Sequence, residues 1–257
     1  MRQASPYLPE KDAFSRASHL FLVGTVHGDD WGNRKCLSFL DRFRPDLIFV
    51  ELSPFGYVFR KRHQRSLSQM LLRNLKEAAN ASRTPFGEAL SNPRIRSIRR
   101  QITLPFEYRA AKAYALKTTA RLLLVDDSRF SRQWIASWPE LLSTQNLTIL
   151  LSLQGPILST QASYQLARRE VFEGRSAMMH ELRQSGDGEA LKMWQRRENF
   201  MAGKIQTAMA AHKPRRPVYL GGWQHLVNGG KLLSLRDLLQ IEPSQCRLLS
   251  SKAVAAS

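Results

Sequence analysis

Leu20-Phe21-Leu22-Val23-Gly24-Thr25-Val26-His27 is the stretch that decides the fold. Its apolar run is too short and too uniform for an amphipathic helix, so residues 18–25 read as a strand buried on both faces. A glycine turn then delivers a histidine. Far along the chain, Val218-Tyr219-Leu220-Gly221-Gly222-Trp223-Gln224-His225 repeats the pattern. Between the two, Leu47-Ile48-Phe49-Val50 ends at Glu51, and Leu122-Leu123-Leu124-Val125 ends at Asp126 and Asp127. Four apolar strands thus each end in a side chain able to bind a metal or move a proton. In an open α/β sheet the ligand site lies beyond the carboxyl ends of the strands. One shared site at these four ends is the expectation, with Gly24, Thr25 and Gly222 supporting it.

Working outward, Gly28 to Asn33 reads as a turn that supplies caps for a helix over 34–43, which Pro45 ends. A strand follows over 46–51. Strand, helix and strand within some 30 residues make a βαβ unit with parallel pairing. A long basic helix is expected over 57–82, short pieces broken by Pro85 and Pro93, and an alanine-rich helix over 107–117. The third strand is placed at 121–125 and a helix at 129–143. The apolar residues 146–153 fit no single assignment. Two helical patterns, 160–184 and 188–212, precede the strand at 217–221 and the helix after it. A short last strand is expected over 246–249. The architecture implied is one α/β domain over 1–257, with a mostly parallel sheet, flanking helices and helical insertions. Residues 1–17 are expected to be loose, and 57–117 and 129–212 largely helical.

A length of 257 residues with 43% hydrophobic residues supports one sizeable core. The net charge of +18 speaks to partners rather than fold, and makes acidic substrates, anionic surfaces or nucleic acid plausible ligands. Cys36 and Cys246 have no Cys-x-x-Cys spacing and read as structural thiols of a reducing compartment. The N-terminal residues carry no apolar core of a signal peptide, and no run approaches the roughly 18 apolar residues of a spanning helix. A soluble cytoplasmic protein is the expectation. The basic runs Arg60-Lys61-Arg62 and Arg94 to Arg100 come without a helix-turn-helix, zinc-finger or RNP signature, and read as solvated faces with polyanion contact as the alternative. No P-loop or Gly-x-Gly-x-x-Gly is present, which argues against a dinucleotide enzyme.

His27 and His225 are the strongest chemical signal, because neutral imidazole is a common transition-metal ligand. Glu51 would complete a His-His-Glu set with open positions, or take a proton. The competing reading of each is a helix cap. Asp126 and Asp127 suit holding an arginine, orienting a histidine, binding metal or capping a helix. Glu107 is either a site carboxylate or a favourable charge at a helix start. Arg197 would bind a substrate carboxylate or an oxyanion, against a plain surface salt bridge.

In order along the chain, these residues resemble the TraB/PrgY/GumN family, which includes the Tiki proteases and is grouped with ChaN-like and erythromycin-esterase-like proteins. The resemblance rests on Gly24-Thr25-Val26-His27, Pro45-Asp46 to Glu51-Leu52, Glu107 to Asp127, Arg197-Glu198-Asn199-Phe200-Met201-Ala202 and Gly222-Trp223-Gln224-His225-Leu226. Glu198 stands where the family has Asn or Asp. The resemblance implies a divalent-metal-dependent hydrolase of peptidase type. His27, His225 and Glu51 would hold manganese, cobalt, zinc or iron, with Glu51, Glu107 and Arg197 catalytic. A peptide or small molecule would be the substrate, and a homo-oligomer is possible. Metal binding is expected to weaken below about pH 6.5, the ordinary histidine value. The other readings are a metal-free esterase-like hydrolase with His27 as base, and a non-catalytic haem- or polyanion-binding protein.

Overall fold

The computed structural model describes residues 20–155, 158–174, 188–229 and 232–250. Five parallel strands form one sheet in the order β3-β2-β4-β1-β5. They are β1 (Phe21–Thr25), β2 (Leu47–Val50), β3 (Arg121–Leu124), β4 (Pro217–Gly222) and β5 (Cys246–Leu248). The helices are α1 (Gly32–Phe43), α2 (Pro54–Ala81), α3 (Phe86–Ser91), α4 (Pro93–Ile102), α5 (Phe106–Ala115), α6 (Ser128–Ala136), α7 (Trp138–Leu141), α8 (Thr144–Ser152), α9 (Thr160–Phe172), α10 (Gly188–His212) and α11 (Leu235–Leu238).

β1 and β2 are parallel but do not pair. β4 lies between them, with Val23 opposite Leu220 on one side and Val50 opposite Leu220 on the other. The βαβ expectation of direct pairing is corrected on this point: the crossover leaves a one-strand gap. Leu22, Val23, Ile48, Phe49, Val50, Val218 and Leu220 are each 0% exposed. Each such side chain contributes roughly 1.5–3 kcal/mol by leaving water. Covered on both faces, these strands carry the continuous apolar runs seen in the sequence.

A second apolar cluster lies in the helices. Leu71 and Leu75 of α2, Ile95, Ile98 and Ile102 of α4, Ile135, Trp138, Leu142 and Leu147 form it, separate from the core around the sheet. The unassigned residues 146–153 belong to α8, whose start Ser143 caps by accepting from Asn146 N–H. The helix expected over 129–143 is two, because Pro139 enters at the start of α7. The element expected after 217–221 is a 3-10 turn, Trp223–Leu226. Of the helix expected over 160–184, α9 ends at Phe172, and residues 175–187 lie outside the described residues, as do 1–17. α1 has no side-chain cap of its own: its N-cap is Trp31, and Asp29 holds the turn before it by accepting from Trp31 N–H at 2.9 Å and pairing with Lys35 at 2.7 Å. Among the described residues no helix is long and apolar enough to cross a membrane.

Candidate functional site

The strand order brings the four expected ends to one edge of the sheet. His27 lies two residues past β1, Glu51 directly follows β2, Asp126 and Asp127 follow β3, and His225 sits in the turn after β4. Two residues past Glu51, Ser53 caps α2: its hydroxyl accepts from Gly56 N–H at 2.8 Å, with Pro54 opening the helix. Glu107 enters from the first turn of α5, and Arg197 and Glu198 from α10.

Glu51 is the centre. Its Oε1 receives Arg197 Nη2 at 2.6 Å and lies 3.0 Å from His225 Nε2. Its Oε2 receives Gly222 N–H at 2.5 Å and lies 3.8 Å from His27 Nε2. Each imidazole is held from behind by a buried carboxylate. His27 Nδ1 is 2.9 Å from Glu107 Oε1, and His225 Nδ1 is 2.5 Å from Glu198 Oε1. Thr25 donates its hydroxyl to the same Glu107 oxygen at 2.6 Å. Glu198 spends its other oxygen on Leu235 N–H at 2.6 Å. Arg197 also grips Asp126, through Nε at 2.7 Å and Nη2 at 3.0 Å.

These pairings set the charges. Burial works against charge on His225, but Glu198 and Glu51 outweigh it and raise its pKa to about 10. Burial likewise opposes charge on His27, yet Glu107 and then Glu51 raise it to about 9. The His27 side chain is 54% exposed, so solvent screens much of that interaction. Burial pushes the Glu51 carboxyl up, and the neighbouring His225 and Arg197 overcome this and hold it well below the usual range. Tyr219, buried at the edge of the His225 ring, has its hydroxyl pushed well up by burial and by Glu51.

A cavity of about 630 Å³ opens beside the cluster, bounded by His27, Glu51, Glu107, Asp126 and Arg197 on the sheet side. Residues of α2, α4 and α6 also line it, with Phe130 of α6 against Arg197. His27 is the open member of the cluster, whereas His225 is 3% exposed behind Glu51. Buried Glu107 Oε2 has no hydrogen-bond partner.

His27, Glu51, His225, Glu107, Asp126 and Arg197 therefore meet. Asp127 does not join them: it caps α6 by accepting from Arg129 N–H at 2.8 Å. Arg197 binds Asp126 and Glu51 through Nε and Nη2 and also lines the cavity. Among the described residues no three or more His, Cys, Asp or Glu side chains are grouped as a ready metal site. The glycines act by close approach and not by a sharp bend: Gly222 has φ −58°, and a methyl there would lie 2.9 Å from His27 Nε2. Gly24 is equally tight, with Trp223 Cα 3.0 Å from where its methyl would be.

The sequence marks Glu198 only as a departure from the family pattern and does not foretell its contact with His225. A signal existed. Glu198, Met201, Ala202 and Ile205 are all buried and fall at the spacing of one helix face, so a carboxylate stood on an apolar stripe. Cys36 and Cys246 are both free and buried. Comparison with protein-family models, characterised proteins and solved structures gave no match.

Proposed function

We propose that the chain is a hydrolase of the TraB/PrgY/GumN type, with the ChaN-like and erythromycin-esterase-like core that the resemblance implies. One observation carries the reading: two imidazoles, each with Nδ1 held by a buried carboxylate, both turn Nε2 toward the same Glu51. Carboxylate backing of that kind orients histidines for metal ligation and for acid–base work alike. The donor types suit a divalent ion, and the unpartnered Glu107 Oε2 adds a further oxygen at the cavity wall. His27, His225 and Glu51 would hold the ion, which would supply Lewis-acid polarisation of a scissile carbonyl. The residues themselves do the rest. With Nε2 of His27 given to the ion, Glu107 keeps the Nδ1 proton and fixes the ring's orientation. Arg197 keeps Glu51 ionised and aimed at both histidines. A peptide or small acyl compound would occupy the cavity.

A metal-free hydrolase is the second reading, favoured by how fully Glu51 and His225 are already engaged. Arg197, Gly222 N–H and His225 satisfy Glu51, and His225 is flanked by two carboxylates. His27 with Glu107 would then work alone as acid and base. Calorimetric titration of manganese, cobalt and zinc separates the two, on wild type, His27→Ala and Glu51→Gln, with circular dichroism as the folding control. The metal reading expects one ion per chain in wild type and none in His27→Ala. Because both imidazoles keep their protons to about 9 and about 10, binding should release protons and tighten steadily as pH rises past 6.5. That moves the pH window above the one expected for unperturbed histidines. Equal binding by wild type and both variants would end the metal reading in favour of the second.

A further inference from the structure

The wall of the cavity carries a fixed cation with no anion of its own. Arg60 of α2 donates through Nε to the Gln101 carbonyl at 3.0 Å and through Nη1 to the Gly56 carbonyl at 3.2 Å. Its guanidinium lies 5.0 Å above the ring of Trp138, which is 1% exposed. Two carbonyls and an aromatic face thus hold the group in place, and among the described residues no carboxylate comes within ion-pair distance of it. The other cavity arginines with mapped ion pairs differ: Arg197 is bound to Asp126 and Glu51, and Arg100 to Asp30. Burial lowers the Arg60 pKa to about 10, against the opposing charge of Asp126.

Arg60 is not alone. A methyl at Gly56 would lie 2.9 Å from Arg60 Nη1 and 3.5 Å from Ser131 Oγ, so these two groups meet around that glycine. Ser131 Oγ accepts the Ser53 hydroxyl at 2.7 Å, which leaves its own hydrogen to donate. The side-chain oxygen of Gln101 is buried there without a partner. Arg60, Gln101 and Ser131 all line the cavity. A half-buried guanidinium without a counter-charge is costly, and an oxyanion accepting from its free N–H groups would offset that cost.

We infer that Arg60 and Ser131 form an oxyanion subsite in the cavity that His27 also lines, taking a carboxylate or phosphate borne by the substrate. As a substrate subsite it rests on the hydrolase reading; as an anion site it stands on the cavity alone. Inorganic phosphate and, separately, succinate are titrated calorimetrically into wild type, Arg60→Gln, Arg60→Lys, Ser131→Ala and His27→Ala. Arg129→Gln serves as a control for surface charge, since Arg129 is 81% exposed. Wild type should bind at least one of the two, and the tighter one names the class. Arg60→Gln should weaken binding about tenfold or more, the loss of one charge-assisted contact. Ser131→Ala should weaken it less, and Arg60→Lys should retain part of it. Arg129→Gln should match wild type, and His27→Ala should weaken binding much less than Arg60→Gln. Absence of binding to wild type would overturn the subsite, as would equal binding by Arg60→Gln. Should Arg60→Gln not fold, equal binding by Ser131→Ala and Arg60→Lys overturns it. Loss in His27→Ala as large as in Arg60→Gln would move the anion to the histidine cluster and also overturn it. The measurement needs no turnover, so an inactive chain that binds phosphate through Arg60 keeps the subsite while losing the hydrolase reading.

Discussion

At the residue scale, the decisive contact is His225 between Glu198 and Glu51. His225 and Glu198 are buried, and the imidazole offsets the two carboxylates only while it stays protonated. The pKa of His225 is about 10 in the fold against 6.5 for the free side chain. The stability it contributes is therefore complete below about 6.5 and is lost as pH rises through about 10. Glu51, held low, contributes stability above the ordinary carboxylate range near 4.3 and loses it as pH falls through its folded value. Urea melts against pH should show a plateau between those limits and a decline on the alkaline side. Glu198→Gln should bring the NMR-detected His225 titration down toward 6.5, and Glu198→Ala should cost about 3–5 kcal/mol by leaving buried charges uncompensated. An unmoved His225 titration in Glu198→Gln would mean that the pair is not what holds the proton. His225→Ala should itself lower stability, since Glu51 and Glu198 would lose their shared counter-charge.

At the scale of elements, the site is the meeting of a sheet edge with a helical layer that has its own core. Leu75 of α2 is fully buried in that second cluster, well away from the strand ends. Leu75→Ala should cost about 2–5 kcal/mol in urea denaturation and leave the His225 titration unchanged. A shift in that titration would show the two layers to be coupled. The strands and their ends were legible because a strand buried on both faces writes an unbroken apolar run, as in Leu47 to Val50. Two things were not. The position of β4 between β1 and β2 is a long-range choice that local pattern does not encode. The contact of Glu198 was hidden because adjacent Arg197 and Glu198 leave the helix in different directions, and Glu198 stood out only as a departure from the family pattern. Thr25 and Gly222 were read as supporting residues, and their contacts bear on that: one ties Glu107 to the sheet, the other brings backbone against His27.

At the scale of the molecule, the charge of +18 surrounds a site rich in carboxylates. Part of the basic surface is already committed: Arg96 and Arg100 both bind Asp30, and Arg94 donates to the carbonyls of Leu153 and Gly155. Heparin should retain the protein no longer than a plain sulfonate exchanger of equal charge density, with elution following salt. Markedly stronger heparin retention, lost on neutralising the Arg94–Arg100 run, would point to a polyanion groove instead. The strand order carries a consequence of another kind, for the time course of folding. β4 is the strand that joins β2 and β3 to β1 and β5, yet it begins at Pro217. Until the ribosome has released that segment, the nascent chain holds β1 and β2 with open edges and no partner between them. Closure of the sheet is thus a late, long-range event, slow by topology and exposed to aggregation while it waits. The same step that zips the sheet delivers His225 to Glu51, so this chain acquires its chemistry and its cooperative core at one moment.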